Sequence, residues 1–170
     1  MRLIAGPCQH ESIGKSGEIA DHLFDLCKKY EIEYYFKASF DKANRTSIKG
    51  ERGLGLPATH HAFIDLKHEI PGLKILTDVH TVEQIRTLSY QGSGNAVDVL
   101  QIPAFLCRQT DLLIAAAKTN KIINVKKGQF LAPWDMVNVT KKISDSGNDK
   151  ILVTERGASF GYNTLVSDMR

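Results

Sequence analysis

The chain has 170 residues, of which 42% are apolar and 24% charged, and its net charge is +3 at pH 7. This composition is ordinary for a globular protein with one core, so we expect one domain spanning residues 1–170. The small charge, and the lack of a long basic run with interleaved aromatics, argue against a nucleic-acid-binding protein. No apolar run approaches membrane-spanning length and residues 1–15 lack a signal-peptide pattern, which together favour a cytoplasmic protein without a membrane partner.

Short apolar runs alternate with helical patterns along the whole chain. Strands are predicted at residues 3–5, 32–36, 74–77, 97–102, 122–125 and 151–154. Helices are predicted at residues 16–30, 62–70, 81–88, 110–116 and 136–143. Repeats of about thirty residues with this alternation indicate parallel strands joined by crossover helices.

Several polar residues are positioned to begin or end these helices. Ser16 and Thr110 are predicted as N-caps, and Thr81 with Gln84 forms a capping-box pattern. Gly147 is expected to close the last helix, and residues 92–95 read as a turn. The three cysteines have no CxxC or zinc-knuckle spacing, which argues against a disulfide framework, and Cys27 lies on an apolar helix face and is expected in the core.

Each predicted strand ends in polar or ionisable residues, which distinguishes two possible architectures. In a doubly wound open sheet only the strands near the switch point need such ends, whereas a barrel gathers every strand end around one mouth. The relevant residues are Cys8, Lys37, Asp78, His80, Gln101, Lys126, Glu155 and Arg156. The pattern therefore favours an α/β fold of the (β/α)8 TIM-barrel type. Because only six of the eight β/α units are predicted, we expect a barrel domain truncated after the sixth strand.

The second strand is followed at once by a basic stretch from Lys37 to Arg45. It combines three cations with short polar residues, and Arg and Lys are suited to phosphate through a planar fork of donors and a mobile point charge. A solvated basic loop would explain any one of these residues. Since other strands end in the same way, the stretch predicts an anion site. No Gly-x-Gly-x-x-Gly or Walker sequence is present, which argues against a nucleotide-binding fold.

Several motifs at these strand ends resemble those of one enzyme family. They are Ala5-Gly6-Pro7-Cys8, residues 37–45, Thr77-Asp78-Val79-His80, residues 101–106, Arg108-Gln109-Thr110-Asp111, residues 124–130, Glu155-Arg156-Gly157 and residues 160–163. Together they resemble the 3-deoxy-D-manno-octulosonate 8-phosphate synthases, also called 2-dehydro-3-deoxyphosphooctonate aldolases. The resemblance implies a (β/α)8 barrel, commonly a homotetramer, that condenses phosphoenolpyruvate with arabinose 5-phosphate and releases phosphate during lipopolysaccharide precursor synthesis.

The resemblance also implies roles for individual residues. Lys37 and Lys42 would be catalytic, with Lys37 near the bond-forming centre. Phosphoenolpyruvate would be bound by Lys37, Lys42, Gln101, Ala104, Lys126 and Arg156. Arabinose 5-phosphate would be bound by Ser39, Asn44, Arg45, Asp78 and, from a neighbouring subunit, Arg108. Simpler interpretations stay open for three residues: Lys127 as a lysine reaching solvent at the barrel rim, Arg156 as an ion-pair partner of Glu155, and Arg108 as a surface residue at a helix entry.

Cys8 is implied as a metal ligand, because a cysteine at this position marks the metal-dependent class of the family. A thiolate suits a divalent ion of the zinc, iron, manganese or cadmium type. The family's other ligands, a His, a Glu and an Asp, follow the sixth strand and are not among these 170 residues, so Cys8 alone cannot form a catalytic metal site.

Two alternative functions are kept. The related 3-deoxy-arabino-heptulosonate 7-phosphate synthases use erythrose 4-phosphate, but they carry Lys-Pro-Arg-Thr-Ser where this chain has the sequence from Lys42 to Ser47. The second alternative is an inactive phosphate-binding fragment of the barrel.

Overall fold

The computed structural model describes residues 1–89, 94–167 and 169. Its strands are β1 (Arg2–Gln9), β2 (Glu33–Ser39), β3 (Lys74–Asp78), β4 (Val99–Ile102), β5 (Ile122–Lys126), β6 (Ile151–Thr154), β7 (Ala158–Ser159) and β8 (Leu165–Val166). Its helices are α1 (Ile13–Lys29), α2 (Leu56–Glu69), α3 (Val82–Leu88), α4 (Thr110–Ala117) and α5 (Met136–Ser144), with 3₁₀ turns at Ala104–Leu106 and Pro133–Asp135. The predicted alternation of strands and helices through β6 is confirmed.

The chain divides into two compact units. The first contains Met1–Asp78 and Arg86–Val99, and the second contains Val79–Ile85 and Leu100–Arg170. Strands β1, β2 and β3 are neighbours in that order in the first unit, and β4, β5 and β6 follow one another in the second. No helix within the described ranges is long and apolar enough to cross a membrane.

The first unit is built on parallel pairing of β1 with β2 and of β2 with β3. Phe36 of β2 meets Phe63 of α2 edge to face, and both rings are buried. Other buried side chains of this unit are Ala20, Tyr35, Leu66, Ile75 and Leu76. Burial of these apolar groups supplies the main favourable term that holds the strands and helices together.

Strand β1 is longer than its apolar run predicts. It was expected to stop before Gly6, but it continues through Cys8 to Gln9 across an irregularity in the register with β2. Cys8 pairs with Ala38 and Gln9 with Ser39 beyond the irregularity. Such a bulge redirects the strand locally, which explains why polar residues can still belong to it.

Strand β2 also runs past its predicted end. Residues Lys37 to Ser39 were expected in a loop, but they belong to the strand because their backbone continues to pair with β1. Side chains alternate between the two faces of a strand, so Lys37 and Ser39 lie on one face while Phe36 and Ala38 lie on the other. The basic stretch therefore begins on a rigid strand.

The start of α1 corrects the predicted cap. Ser12 is the N-cap, and its side chain accepts a hydrogen bond from the backbone N–H of Lys15. Ser16 lies one turn inside the helix, where it is buried and its Oγ is 2.8 Å from Nδ1 of His10. Serine near the start of a helix is a typical N-cap residue, but the hydroxyl of Ser16 forms its hydrogen bond with the buried imidazole of His10 instead.

The second unit confirms most of the predicted elements. Strands β5 and β6 are parallel, and β7 and β8 form a short antiparallel pair. The core includes Leu100, Ile102, Leu112, Leu113, Ile123, Val125 and Ile143. Thr81 and Gln84 exchange the predicted capping-box hydrogen bonds. Gly147 follows the end of α5 with φ of 90°, a conformation that favours glycine.

Two turn predictions differ from the structure or fall outside it. Thr110 was predicted as the N-cap of α4, but it is the first residue of the helix. The N-cap is Gln109, whose side chain makes no capping hydrogen bond. The predicted turn at residues 92–95 lies partly outside the described residues, which resume at Gly94. Cys27 is buried, as its position on the apolar face of α1 predicts.

Glu33 at the start of β2 provides a pH-dependent contribution to stability. Hydrogen bonds from Lys74 and Arg2 lower the pKa of its carboxyl to about 2, and Tyr35 also donates to it. The contribution is present above the unfolded pKa and is lost as the pH falls toward 2. The free energy of unfolding should therefore fall less steeply in Glu33→Gln than in the native chain between about pH 5 and pH 2. The difference should be less than about 1 kcal/mol because the Glu33–Lys74 pair is exposed.

Urea unfolding at several pH values measures this effect. Glu18→Gln, which changes an exposed carboxylate of α1, is the matched control. It should leave the decrease in unfolding free energy at low pH, the acid limb of the profile, unchanged. Parallel acid limbs for the native chain and Glu33→Gln would contradict the prediction.

Candidate active site

In the first unit, two lysines converge on the carboxyl ends of β1 and β2. Nζ of Lys37 donates to the carbonyl of Cys8 at 3.1 Å and to Oγ of Ser39 at 3.0 Å. Nζ of Lys42 donates to the same two oxygens at 2.9 and 2.7 Å. The bulge in β1 makes this convergence possible because it presents the Cys8 carbonyl to both ammonium groups. Two positive charges are thus held close together on fixed backbone.

Asp78 at the end of β3 balances part of this charge. Its Oδ1 accepts a hydrogen bond from Oγ of Ser39 at 2.6 Å and lies 3.6 Å from Nζ of Lys37. The side chains of Lys37 and Asp78 are only 14% and 8% exposed. A partly buried pair of this kind is strongly coupled, since removing one partner leaves the other charge poorly solvated. The structure therefore brings together five predicted residues: Cys8, Lys37, Ser39, Lys42 and Asp78.

The Cys8 thiol is exposed beside these lysines. Its Sγ is 3.2 Å from Nζ of Lys42 and 3.9 Å from Nζ of Lys37. Partial burial acts to raise the pKa of the Cys8 thiol, but the two ammonium groups outweigh it, so that the pKa lies below its ordinary value. Cys8 has φ of 67°, a strained conformation for a residue other than glycine. The strained backbone and the bulge together aim the thiol at the lysines.

We expect Cys8 to be the reactive cysteine of the chain. Cys27 and Cys107 are buried, and the thiolate is the form that reacts with iodoacetamide. The alkylation rate of the native chain should rise with pH at lower values than that of an ordinary thiol. Lys42→Met should move this rise to higher pH, because it removes a hydrogen bond and a positive charge that favour the thiolate.

Mass spectrometry of the alkylated peptides measures the rate at each thiol. Lys49→Met, which removes an exposed lysine from the same loop, is the control and should leave the profile unchanged. Preferential labelling of Cys27 or Cys107, or an unchanged profile in Lys42→Met, would contradict the expectation.

The loop after β2 is closed on itself and carries the predicted sugar-phosphate residues. The backbone N–H of Lys42 donates to the carbonyl of Arg52 at 2.8 Å, and the Arg52 guanidinium binds both carboxylate oxygens of Asp41. Arg45 donates from Nη2 to Oε1 of Gln9 at 3.0 Å and from Nε to the carbonyl of Glu51. Asn44 and Arg45 are exposed. The closed loop thus holds Arg45 over the end of β1.

In the second unit, polar side chains link the ends of three strands. Nδ2 of Asn124 donates to Oε1 of Gln101 at 3.0 Å, and Oγ1 of Thr154 donates to Oδ1 of Asn124 at 2.8 Å. Asn124 and Lys126 are two residues apart on β5, so both side chains leave the same face of the strand. Gln101 and Asn124 are buried. This chain of hydrogen bonds fixes the strand ends from which Lys126 and Arg156 extend.

Among the described residues, the cations Lys126 and Arg156 have no acidic partner. Neither side chain makes an ion pair or a hydrogen bond to another of the described residues. They lie at the ends of neighbouring parallel strands, since Lys126 is the last residue of β5 and is in register with Thr154 of β6, and Arg156 is two residues after Thr154. The alternative interpretation of Arg156 as an ion-pair partner of Glu155 is therefore wrong, because the Glu155 carboxylate lies 3.7 Å from Nζ of Lys127 instead.

Lys127 is the clearest correction among the site residues. It was considered as a lysine reaching solvent, but it is buried, and Nζ donates to the carbonyls of Gly128, Leu131 and Gly157 at 3.0–3.1 Å. The sequence could have indicated this, since Lys127 lies two positions after the apolar Val125, which is buried, and side chains two positions apart in an extended chain leave the same side.

Two further predicted residues belong to the second unit. Ala104 is buried in the 3₁₀ turn after β4, with its backbone close to the strand end, as a backbone contact to a ligand requires. Arg108 is exposed, and its carbonyl accepts a hydrogen bond from Nζ of Lys142 at 3.0 Å. The exposed side chain of Arg108 is compatible with both interpretations, a phosphate contact in a neighbouring subunit and a surface residue at a helix entry.

His10 belongs to no sequence motif and was expected in a loop without a role. It is buried directly after β1, contacts Ser16 and packs edge to face with Phe63. Burial lowers the pKa of its imidazole. Its backbone N–H also donates to the carbonyl of Ser39 at 2.9 Å, so it fixes the ends of β1 and β2 relative to each other. The backbone N–H of His80 donates to Gln84 as part of the capping box.

Cys8 is the predicted metal ligand among the described residues. An exposed thiolate at Cys8 has suitable donor chemistry, but two ammonium groups lie within 4 Å of the sulfur and compete with a cation. Among residues 1–89, 94–167 and 169, no group of three or more His, Cys, Asp or Glu side chains could hold a metal ion. A complete metal site therefore does not form from these residues alone.

The comparisons with known proteins agree with one another. The chain matches the DAHP synthetase I family over residues 1–170. A 2-dehydro-3-deoxyphosphooctonate aldolase of Brucella anthropi is 60% identical over 168 residues, which are 99% of this chain and 58% of that protein. Proteins of the same name from a Chelativorans species and from Brucella canis are 60% and 59% identical over 170 residues, 100% of this chain and 59% of each relative. The chain thus spans about three fifths of the length of the curated relatives it matches.

These matches confirm the resemblance found in the motifs and the predicted fold class. Six strands with intervening helices correspond to six of the eight β/α units of a (β/α)8 barrel. The family match covers both units, and the polar residues lie at the carboxyl ends of the strands, where barrels of this type carry their active sites. Because that match extends over the whole sequence, the chain belongs to the DAHP synthetase I family.

Proposed function

We propose that this chain is part of an enzyme that condenses phosphoenolpyruvate with D-arabinose 5-phosphate and water, giving 3-deoxy-D-manno-octulosonate 8-phosphate and phosphate: C3 of phosphoenolpyruvate adds to the sugar aldehyde, water adds at C2, and phosphate leaves from C2. The observation that carries the proposal is the pair of ammonium groups of Lys37 and Lys42 above the ends of β1 and β2. The names of the relatives, 2-dehydro-3-deoxyphosphooctonate aldolase, support this choice over the heptulosonate alternative.

The reaction requires two phosphates and a carboxylate to be held together, and fixed cations offset their mutual repulsion. In this proposal Lys126 and Arg156 bind phosphoenolpyruvate, with the backbone of Ala104 and the side chain of Gln101 beside them. These two cations have no competing acidic partner among the described residues, which makes their charge available to an anion. Binding here would fix the orientation of phosphoenolpyruvate, whose C3 is the atom that forms the new bond.

The first unit is proposed to supply the sugar-phosphate contacts and the charge at the reacting centre. Arg45, with Asn44, binds the phosphate of arabinose 5-phosphate, and Gln9 holds the guanidinium in place. Ser39 and Asp78 bind sugar hydroxyls through the hydrogen bonds they already share. Lys37 and Lys42 act as fixed positive charges that stabilise negative charge as the bond forms and phosphate leaves.

Metal binding, assembly and location are further parts of the proposal. Cys8 would be the one metal ligand that this chain supplies, and a divalent ion bound there would stabilise developing negative charge. A homotetramer would bring Arg108 to the sugar phosphate of a neighbouring subunit, and the enzyme would act in the cytoplasm. Isothermal titration of zinc or manganese into the native chain and into Cys8→Ser tests the metal ligand, with weaker binding expected for the variant.

Phosphate release is the direct test of the reaction. The chain is mixed with phosphoenolpyruvate, a divalent metal and arabinose 5-phosphate, and inorganic phosphate is measured over time. Release that depends on arabinose 5-phosphate supports the proposal. Release with erythrose 4-phosphate instead would assign the heptulosonate activity, and no release with either sugar would support the inactive phosphate-binding fragment. Intact mass, measured first, establishes which residues are present in the assay.

A further inference from the structure

Lys127 carries a buried positive charge that the proposed reaction does not use. Its side chain is 2% exposed, and its three N–H donors are directed at three backbone carbonyls. The acceptors belong to Gly128 and Leu131, which follow β5, and to Gly157, which follows β6. An ammonium group has three donors, so this one is fully satisfied. Lys127 thus joins the two segments that follow neighbouring strands.

The Glu155 carboxylate is directed at this buried ammonium. Its Oε1 lies 3.7 Å from Nζ of Lys127 and also accepts the backbone N–H of Gly157. Glu155 is the residue immediately before Arg156, and it could otherwise neutralise that guanidinium. In the part of the chain that the structure describes, Glu155 pairs with Lys127, and neither Lys126 nor Arg156 has a carboxylate partner.

Backbone hydrogen bonds strengthen the same connection. The N–H of Lys127 donates to the carbonyl of Thr154 at 2.9 Å, and the N–H of Ser159 donates to the carbonyl of Gln129 at 3.1 Å. Lys126 and Arg156 are each one residue away from a member of this network. The positions of the two proposed anion-binding cations therefore depend on contacts made by Lys127.

We propose that Lys127 is a positioning residue that sequesters Glu155 and ties together the segments after β5 and β6, so that Lys126 and Arg156 keep their charge for an anionic ligand. This inference rests on the proposed binding of phosphoenolpyruvate and deepens it. The ammonium of Lys127 does not touch the ligand. It acts through the carboxylate that it holds and through the three carbonyls that it binds.

A double-mutant cycle separates charge sequestration from simple structural support. Phosphoenolpyruvate binding is measured by calorimetry at low salt for the native chain, Lys127→Met, Glu155→Gln and the double variant Lys127→Met/Glu155→Gln. Lys127→Met releases the Glu155 carboxylate beside Arg156. The dissociation constant of phosphoenolpyruvate should therefore rise about tenfold or more in this variant. The double variant should recover most of that loss, because the released side chain is then neutral. A double variant that binds no better than Lys127→Met would overturn the sequestration.

Amide hydrogen exchange tests the connection without any ligand. The N–H groups of Gly157 and Ser159 should exchange about tenfold faster or more in Lys127→Met, because their segment loses its link to the residues after β5. Lys141→Met removes an exposed lysine paired with Asp145 in the same unit and should change neither exchange nor binding. Unchanged exchange in Lys127→Met would overturn the positioning role.

Direct variants of the anion site distinguish a failure of this inference from a failure of the proposed function. If Lys126→Met and Arg156→Met weaken phosphoenolpyruvate binding while Lys127→Met does not, the anion site stands and the role of Lys127 is wrong. If none of these variants changes binding, the proposed anion site itself is wrong. Circular dichroism and urea unfolding of each variant confirm that a folded chain is being compared.

Discussion

Replacing Lys37 with methionine is expected to lower kcat/KM for the proposed condensation by about two to three orders of magnitude. Methionine preserves most of the length and apolar volume of the side chain but removes the ammonium. That group donates to the Cys8 carbonyl and to Ser39 Oγ, and it lies 3.6 Å from the Asp78 carboxylate. The variant therefore loses a fixed positive charge and leaves the negative charge of Asp78 facing the anionic substrates.

The loss should be largest in the chemical step. A cation that merely attracted phosphate would raise KM and leave kcat unchanged, whereas a charge placed where negative charge develops lowers kcat. Steady-state kinetics with each substrate varied in turn separates the two cases. Lys49→Met, which removes an exposed lysine from the following loop, is the matched control and should retain kcat/KM. A folded Lys37→Met variant with native kcat would remove Lys37 from the reacting centre.

The order and type of elements could be predicted from the sequence, because each strand and helix has its own apolar pattern. The strand ends could not. The apolar run of β2 stops at Phe36, yet the strand continues because its backbone pairs with Cys8 and Gln9 of β1. That pairing depends on a bulge and on residues about thirty positions away, and no local pattern encodes it.

In the site, likewise, the types of the binding residues could be predicted from the sequence, but their hydrogen-bond and ion-pair partners could not. Lysines and an arginine after strand ends predicted anion binding, and Lys37, Lys42 and Asp78 do lie together. Which cation pairs with which carboxylate depended on geometry: Glu155 was considered for Arg156, but the structure directs it to Lys127. Similarly, Ser16 has the composition of a helix cap, but a buried histidine brought close by the turn after β1 takes its hydroxyl.

Gly6→Ala is expected to lower the free energy of unfolding by about 3 kcal/mol, and to displace Cys8 and Lys37 from each other. A Cβ atom at position 6 would lie 2.2 Å from the backbone carbonyl oxygen of Lys37 and 3.0 Å from its carbonyl carbon and nitrogen. Backbone atoms in a paired strand cannot move aside as a flexible side chain can. The two strands must therefore separate at the bulge, where the Cys8 carbonyl receives both lysines.

Urea unfolding measures the loss of stability, and the alkylation profile of Cys8 measures the local displacement. Gly14→Ala is the matched control, since a Cβ at that position of α1 would meet nothing within 4 Å. Alanine also favours a helix, so this control should stabilise the chain by up to about 1 kcal/mol. The two substitutions add the same methyl group, but at position 6 it meets the Lys37 carbonyl, whereas at position 14 it meets nothing and favours the helix, so their expected effects have opposite signs. If Gly6→Ala were as stable as the native chain, the close approach of β1 to β2, on which the lysine cluster depends, would be wrong.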